Sequence, residues 1–197
     1  MGVRIKKKLS EKDVLCAQSV EAWQAWLRLN HARSSGAWLL LQKKVSAKKS
    51  LTYAEALDVA LCHGWIDGQK RSYNENSWLQ RFTPRRRRSG WSKRNTEHAE
   101  RLMRAGKMKK AGLAQIEAAK KDGRWKAAYD SQSTASIPKD FLKALKRNKK
   151  AEAFFNSLNK TNLYSIAYRL QTAKTPETRE KRMRTILQMM AKGEKFH

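Results

Sequence analysis

Acidic side chains are scarce in this sequence of 197 residues: 17 Asp+Glu stand against 44 Lys+Arg, a formal net charge of +27 at pH 7. Cysteine is scarcer still. Cys16 and Cys62 lie far apart, with neither a C-x-x-C nor an H-x-x-x-H spacing among them and the four histidines. Zinc-ligand spacing is therefore missing, no metal site is assigned, and free thiols are expected rather than a disulfide. No run approaches the ~18 consecutive apolar residues that a membrane-spanning helix needs. The opening MGVRIKKKLSEKD has charge but no apolar core, so it does not read as a secretory signal. Gly2 follows Met1, but Lys6 stands where a myristoylation motif requires Ser or Thr. The expectation is a cytoplasmic location.

Apolar residues make up 40% of the chain, seven tryptophans included. That is enough for a packed core and excludes wholesale disorder. A positive field of this size favours phosphate polymers and anionic surfaces, though contacts to phosphate carry no sequence information.

Residues 1–19 read as a mobile basic lead-in, and residues 20–130 as an α+β domain. Val20, Trp23, Trp26, Leu27 and Asn30 repeat with helical spacing. After Arg33-Ser34-Ser35-Gly36, the run from Ala37 to Val45 has strand length. Thr52 and Glu55 form a capping box for a helix over 53–63 that stops at Gly64. Two strands, Trp65–Arg71 and Ser77–Thr83, flank a five-residue loop of hairpin composition. Helices follow over 93–105, with Ser92 as cap, and over 109–121, where Gly112 is an unfavourable helix residue.

Residues 131–138 read as a linker, and 139–197 as a helical subdomain. Its third helix is expected to start at Thr161, and its last at Thr175-Pro176, ending at Gly193. Residues 139–197 carry 15 basic and 5 acidic side chains, so charge is not confined to one part. The fold class expected is α+β, a small antiparallel sheet with helices and then the helical subdomain.

The segment from His63 to Lys93 is the most unusual. Arg85, Arg86, Arg87, Arg88, Lys93 and Arg94 surround Trp91. Cations interleaved with an aromatic suit the backbone and bases of nucleic acid, and a helix N-terminus near Ser92 adds N–H groups that favour phosphate. The alternative is an exposed basic loop with Trp91 packed inside. Strand alternation places Trp65, Asp67, Gln69 and Arg71 on one face. Asp67 then suits either an ion pair with Arg81 that fixes the hairpin, or a pocket of Trp65, Asp67, Gln69, Arg81 and Trp91 for a small polar ligand. Cys62 and His63 are neighbours on a helix, about 100° apart in direction, so they do not form a nucleophile–base pair. No G-x-S-x-G, P-loop or dinucleotide fingerprint occurs, and the residues give no positive reason to assign catalysis or a cofactor.

Four segments, Thr52–Asp58, Gly64–Arg71, Trp78–Arg85 and Trp91–Asn95, resemble the bacterial YdeI/OmpD-associated family, also labelled bacteriocin-protection. Ala119–Trp125 and Ala173–Arg179 fit the same family, so the resemblance runs from about Val20 to His197. It implies a cytoplasmic, stress- or envelope-linked accessory protein and supplies no catalytic residues. The four-arginine run is more basic than the family pattern.

The leading expectation is a non-enzymatic protein that binds an anionic partner, nucleic acid first, through the hairpin and the arginine loop. The competing expectations are a small-molecule-binding or catalytic pocket around Asp67 and a stress-response adaptor whose helical subdomain docks a protein through Phe154, Phe155 or Met189.

Overall fold

The computed structural model describes residues 14–43 and 50–197. The lead-in expected over 1–19 therefore lies outside the described residues as far as position 13, as do Lys44 and Val45 of the expected strand. The chain divides into two compact units. One runs to Ser89 and resumes over Glu97–Gly123; the other comprises Gly90–Thr96 and Arg124–His197.

The first unit is built on a four-stranded sheet, β1 (Val14–Leu15), β2 (Ala37–Gln42), β3 (Trp65–Ser72) and β4 (Ser77–Pro84), in the order β1-β2-β4-β3. β1 is parallel to β2, whereas β2–β4 and β3–β4 are antiparallel. The expected antiparallel sheet is thus a mixed one, with Val14–Leu15 as a parallel edge strand where the sequence suggests only lead-in.

Helix α1 (Val20–Asn30) begins at Ser19, whose side chain accepts from Ala22 N–H. Helix α2 (Tyr53–Cys62) begins at the capping box: Thr52 N–H donates to Glu55 Oε2 at 2.9 Å and Glu55 N–H to Thr52 Oγ1 at 3.3 Å. The Thr52 N–H bond, and after it the Thr52 hydroxyl donating to the same oxygen, hold the Glu55 carboxyl below its ordinary value.

Between the helices and the sheet, Trp23 packs against Phe82 (ring centroids 5.5 Å apart) and edge-on to Trp65 (6.3 Å). Fully burying a side chain such as Phe82 contributes roughly 1.5–3 kcal/mol. These two indoles also find acceptors: Trp23 Nε1–H donates to Ala56 O and Trp65 Nε1–H to His31 O, both at 3.0 Å.

Helix α3 (Lys93–Arg104) opens at Ser92, whose hydroxyl accepts from Asn95 N–H, and α4 is Lys110–Lys121. Gly112 in α4 has a packing reason. A Cβ there would lie 2.4 Å from Cys62 O and 2.7 Å from Leu61 O, so only glycine lets α4 approach the end of α2 this closely.

In the second unit, Trp91 packs on Trp125 at 4.8 Å, and Tyr129 pairs its backbone with the strand-like stretch at Trp91–Lys93. Four helices follow: α5 (Lys139–Leu145), α6 (Lys149–Asn156), α7 (Lys160–Gln171) and α8 (Pro176–Lys192). They close on a core that includes Phe141, Leu145, Ile166, Leu170, Ile186 and Met190. α8 starts at Thr175 with Pro176 in its first turn and stops at Gly193, which has φ 73°. α7 is capped by Asn159 rather than Thr161, because Asn159 accepts from Asn162 N–H one turn earlier. Residues 131–138 hold a turn closed by Ala135 N–H to Ser131 O, and Ile137 packs on the helical core. The fold class is α+β with a helical C-terminal part.

Candidate binding sites

The arginine run divides at its first member. Arg85 is only 5% exposed and its N–H donates to Gly64 O at 3.0 Å, whereas Arg86, Arg87 and Arg88 are exposed on a turn closed by Ser89 N–H to Arg86 O. Burial takes Arg85 off the surface where a phosphate could meet it. The same applies to Trp91, 2% exposed, which takes the packed alternative and presents no face for a base to stack on. In the second unit Lys93 and Arg94 are exposed, and Lys93 Nζ pairs with Asp130 at 2.7 Å. Asp130 is correspondingly held below its ordinary value, chiefly by the Lys93 bond.

The hairpin does not assemble the pocket expected around Asp67. Strand β3 carries a bulge between Asp67 and Lys70, so three steps on β3 match two on β4. Asp67 stands opposite Phe82, but Arg71 stands opposite Leu79 and has changed face. Asp67 consequently sits on the helix-bearing face, where its Oδ2 accepts from Tyr53 Oη at 2.7 Å. Arg81 is on the reverse face with Arg71; their guanidiniums lie 5.6 and 4.7 Å from the Trp38 ring centroid. Gln69 is exposed at the bulge, Trp65 is buried under α1, and Trp91 belongs to the second unit. Gln80, 3% exposed, is explained by the same bulge: its Nε2 donates to Gly68 O at 3.0 Å. The alternation rule fails here because a bulge resets it, and only Gly68 hinted at one.

Sequence reasoning missed a cleft of about 430 Å³ in the first unit, formed by α1, α2 and the turn after α3. On one wall Asp58 accepts from His98 at 2.7 Å and from Arg101. Cys62 and His63 close the α2 side. Burial pushes the Cys62 thiol up to about 11, so it stays protonated, and pushes His63 down to about 4, with the nearby His31 and Lys109 adding to the effect. Neither group has the thiolate–imidazolium character of a nucleophilic pair. His63 is 6% exposed, and its Nε2 has no hydrogen-bond partner among the described residues. An unsatisfied buried polar atom costs about 1–3 kcal/mol.

A smaller cleft in the second unit, about 290 Å³, is bordered by Asp130, Gln171 and Arg179. Its polar groups are engaged already: Gln171 Nε2 donates to Asp130 Oδ2, and Arg179 forms a two-pronged pair with Asp140. Phe154, Phe155 and Met189 are half-buried against the helical core, so they form no exposed apolar stripe. Among the described residues no group of His, Cys, Asp and Glu could hold a metal ion, and no helix is long and apolar enough to cross a membrane.

Residues 15–115 match the model of a domain of unknown function (DUF8412), and residues 134–193 match that of the family described as Bacteriocin-protection, YdeI or OmpD-Associated. No curated protein and no solved structure matched the chain. The segments Thr52–Asp58, Gly64–Arg71, Trp78–Arg85 and Trp91–Asn95 thus fall within the first match, and only Ala173–Arg179 within the second. The chain belongs to the DUF8412 family, whose model takes in just over half of it, and its C-terminal helices match the family model described as Bacteriocin-protection, YdeI or OmpD-Associated.

Proposed function

We propose that this chain is a cytoplasmic accessory protein that binds a polyanion, nucleic acid first, by charge rather than by base stacking. The observation that carries the reading is the turn at Arg86–Ser89. It presents three successive exposed arginines from a backbone anchored at Arg85 N–H. Planar guanidiniums held on a fixed turn suit phosphate oxygens, and less ordering is needed on contact than for a free loop. The net charge of +27 supplies long-range attraction to the same partner. With Trp91 buried, base identity has no reader at this turn, so binding is expected to tolerate sequence.

The test compares the full chain with its R86A/R87A/R88A variant by fluorescence anisotropy on labelled single-stranded and duplex DNA. Three phosphate contacts correspond to a salt slope of about 0.9 each on duplex. The variant should bind more weakly, with a slope shallower by about two to three. An unchanged affinity and slope would overturn the assignment of the turn.

A further inference from the structure

We propose that the cleft of the first unit binds a small organic carboxylate, with its charged end at Lys107 and Lys109 and an apolar body against α2 and Leu102. At about 430 Å³ the cleft lies in the size range of small-ligand sites. Its chemistry narrows the class by what is already committed. Of the two wall carboxylates, Glu55 accepts from the Thr52 backbone and hydroxyl on Oε2 alone and keeps its charge, a single negative charge against the two lysines. Asp58 is already paired with His98 and Arg101.

The two lysines are in the opposite condition. Their backbone is fixed, Lys107 N–H on Leu102 O at 3.0 Å and Lys109 N–H on Cys62 O at 3.1 Å. Their side chains are exposed and make no ion pair among the described residues. The fixed backbone brings two spare ammonium groups to one rim of the cleft, on flexible stems that a bound anion would order.

Between them and α1 the wall is apolar, with Val20, Val59 and Leu102, and the protonated Cys62 thiol adds no charge. His63 also lines the cleft, 6% exposed, and its Nε2 lacks a partner but is closed off from solvent. A carboxylate oxygen would meet the Nε2–H tautomer only after a shift of the side chains that cover it.

Titration of the 15N-labelled full chain with hexanoate, phenylacetate and indole-3-acetate, followed by amide chemical shifts, tests the site. At least one should shift the His63, Gly106 and Lys107 amides saturably. Phenylacetamide and phenethylammonium should not. K107Q/K109Q, a surface change, should weaken binding about tenfold or more, and V20F should abolish it by filling the cleft. Three results would overturn the proposal: no saturable shift from any of the three carboxylates, equal binding of the amide, or undiminished affinity in K107Q/K109Q.

Discussion

Burial that pushes His63 down to about 4 also makes folding pH dependent at that position. In the unfolded chain the imidazole protonates near 6.5, so the unfolded state binds the proton first as pH falls. The stability due to a neutral His63 is therefore complete above 6.5 and is lost progressively between 6.5 and 4. Linkage puts the loss from pH 7 to 4.5 at about 2 kcal/mol. Denaturant unfolding of wild type and H63Q at both pH values should show the variant losing less by about that amount. Parallel profiles would mean that His63 is solvated in the folded state. Trp91 offers a second contrast at this scale. Its contact with Trp125 is structural, so W91F should lower stability by about 1 kcal/mol while leaving DNA affinity unchanged. Loss of a stacked base would instead cost about 1–3 kcal/mol of binding.

At the scale of elements, two rules give opposite signs at Gly112. Helix propensity alone favours alanine by about 1 kcal/mol inside a helix. The carbonyls of Cys62 and Leu61, 2.4 and 2.7 Å from the added Cβ, favour glycine. Overpacking of this kind costs about 1–3 kcal/mol, and backbone atoms do not move aside as a flexible side chain would. G112A should therefore lower the unfolding midpoint in denaturant; a raised midpoint would mean that α2 and α4 are not in this contact. The example also marks what the sequence can convey. Local signals were legible: the Thr52–Glu55 box, the hairpin flanking residues 73–76 and the Thr175-Pro176 start all name their own geometry within a few residues. Gly112 was readable only as a poor helix former, because its reason is a carbonyl fifty residues away. The two-residue strand β1 is too short to carry an alternation, the register that sets Asp67 opposite Phe82 leaves Arg81 on the other face, and the bulge after Asp67 moves Arg71 off the Asp67 face. The cleft was invisible for the same cause, since its walls come from α1, α2 and the turn after α3.

For the whole molecule the question is whether a charge of +27 is used or merely carried. Both units are basic, and long Lys and Arg stems cover apolar surface wherever they lie. Charge at this density binds any polyanion weakly at low salt, so affinity at one condition decides nothing. The decisive measurement is anisotropy titration of the full chain against single-stranded and duplex DNA at three salt concentrations, spanning low to physiological. The account predicts binding that is still measurable near physiological salt, at about micromolar, with a linear dependence of log affinity on log salt. Binding that disappears as salt approaches the physiological range would contradict it, and would leave the positive charge as a property of the surface alone.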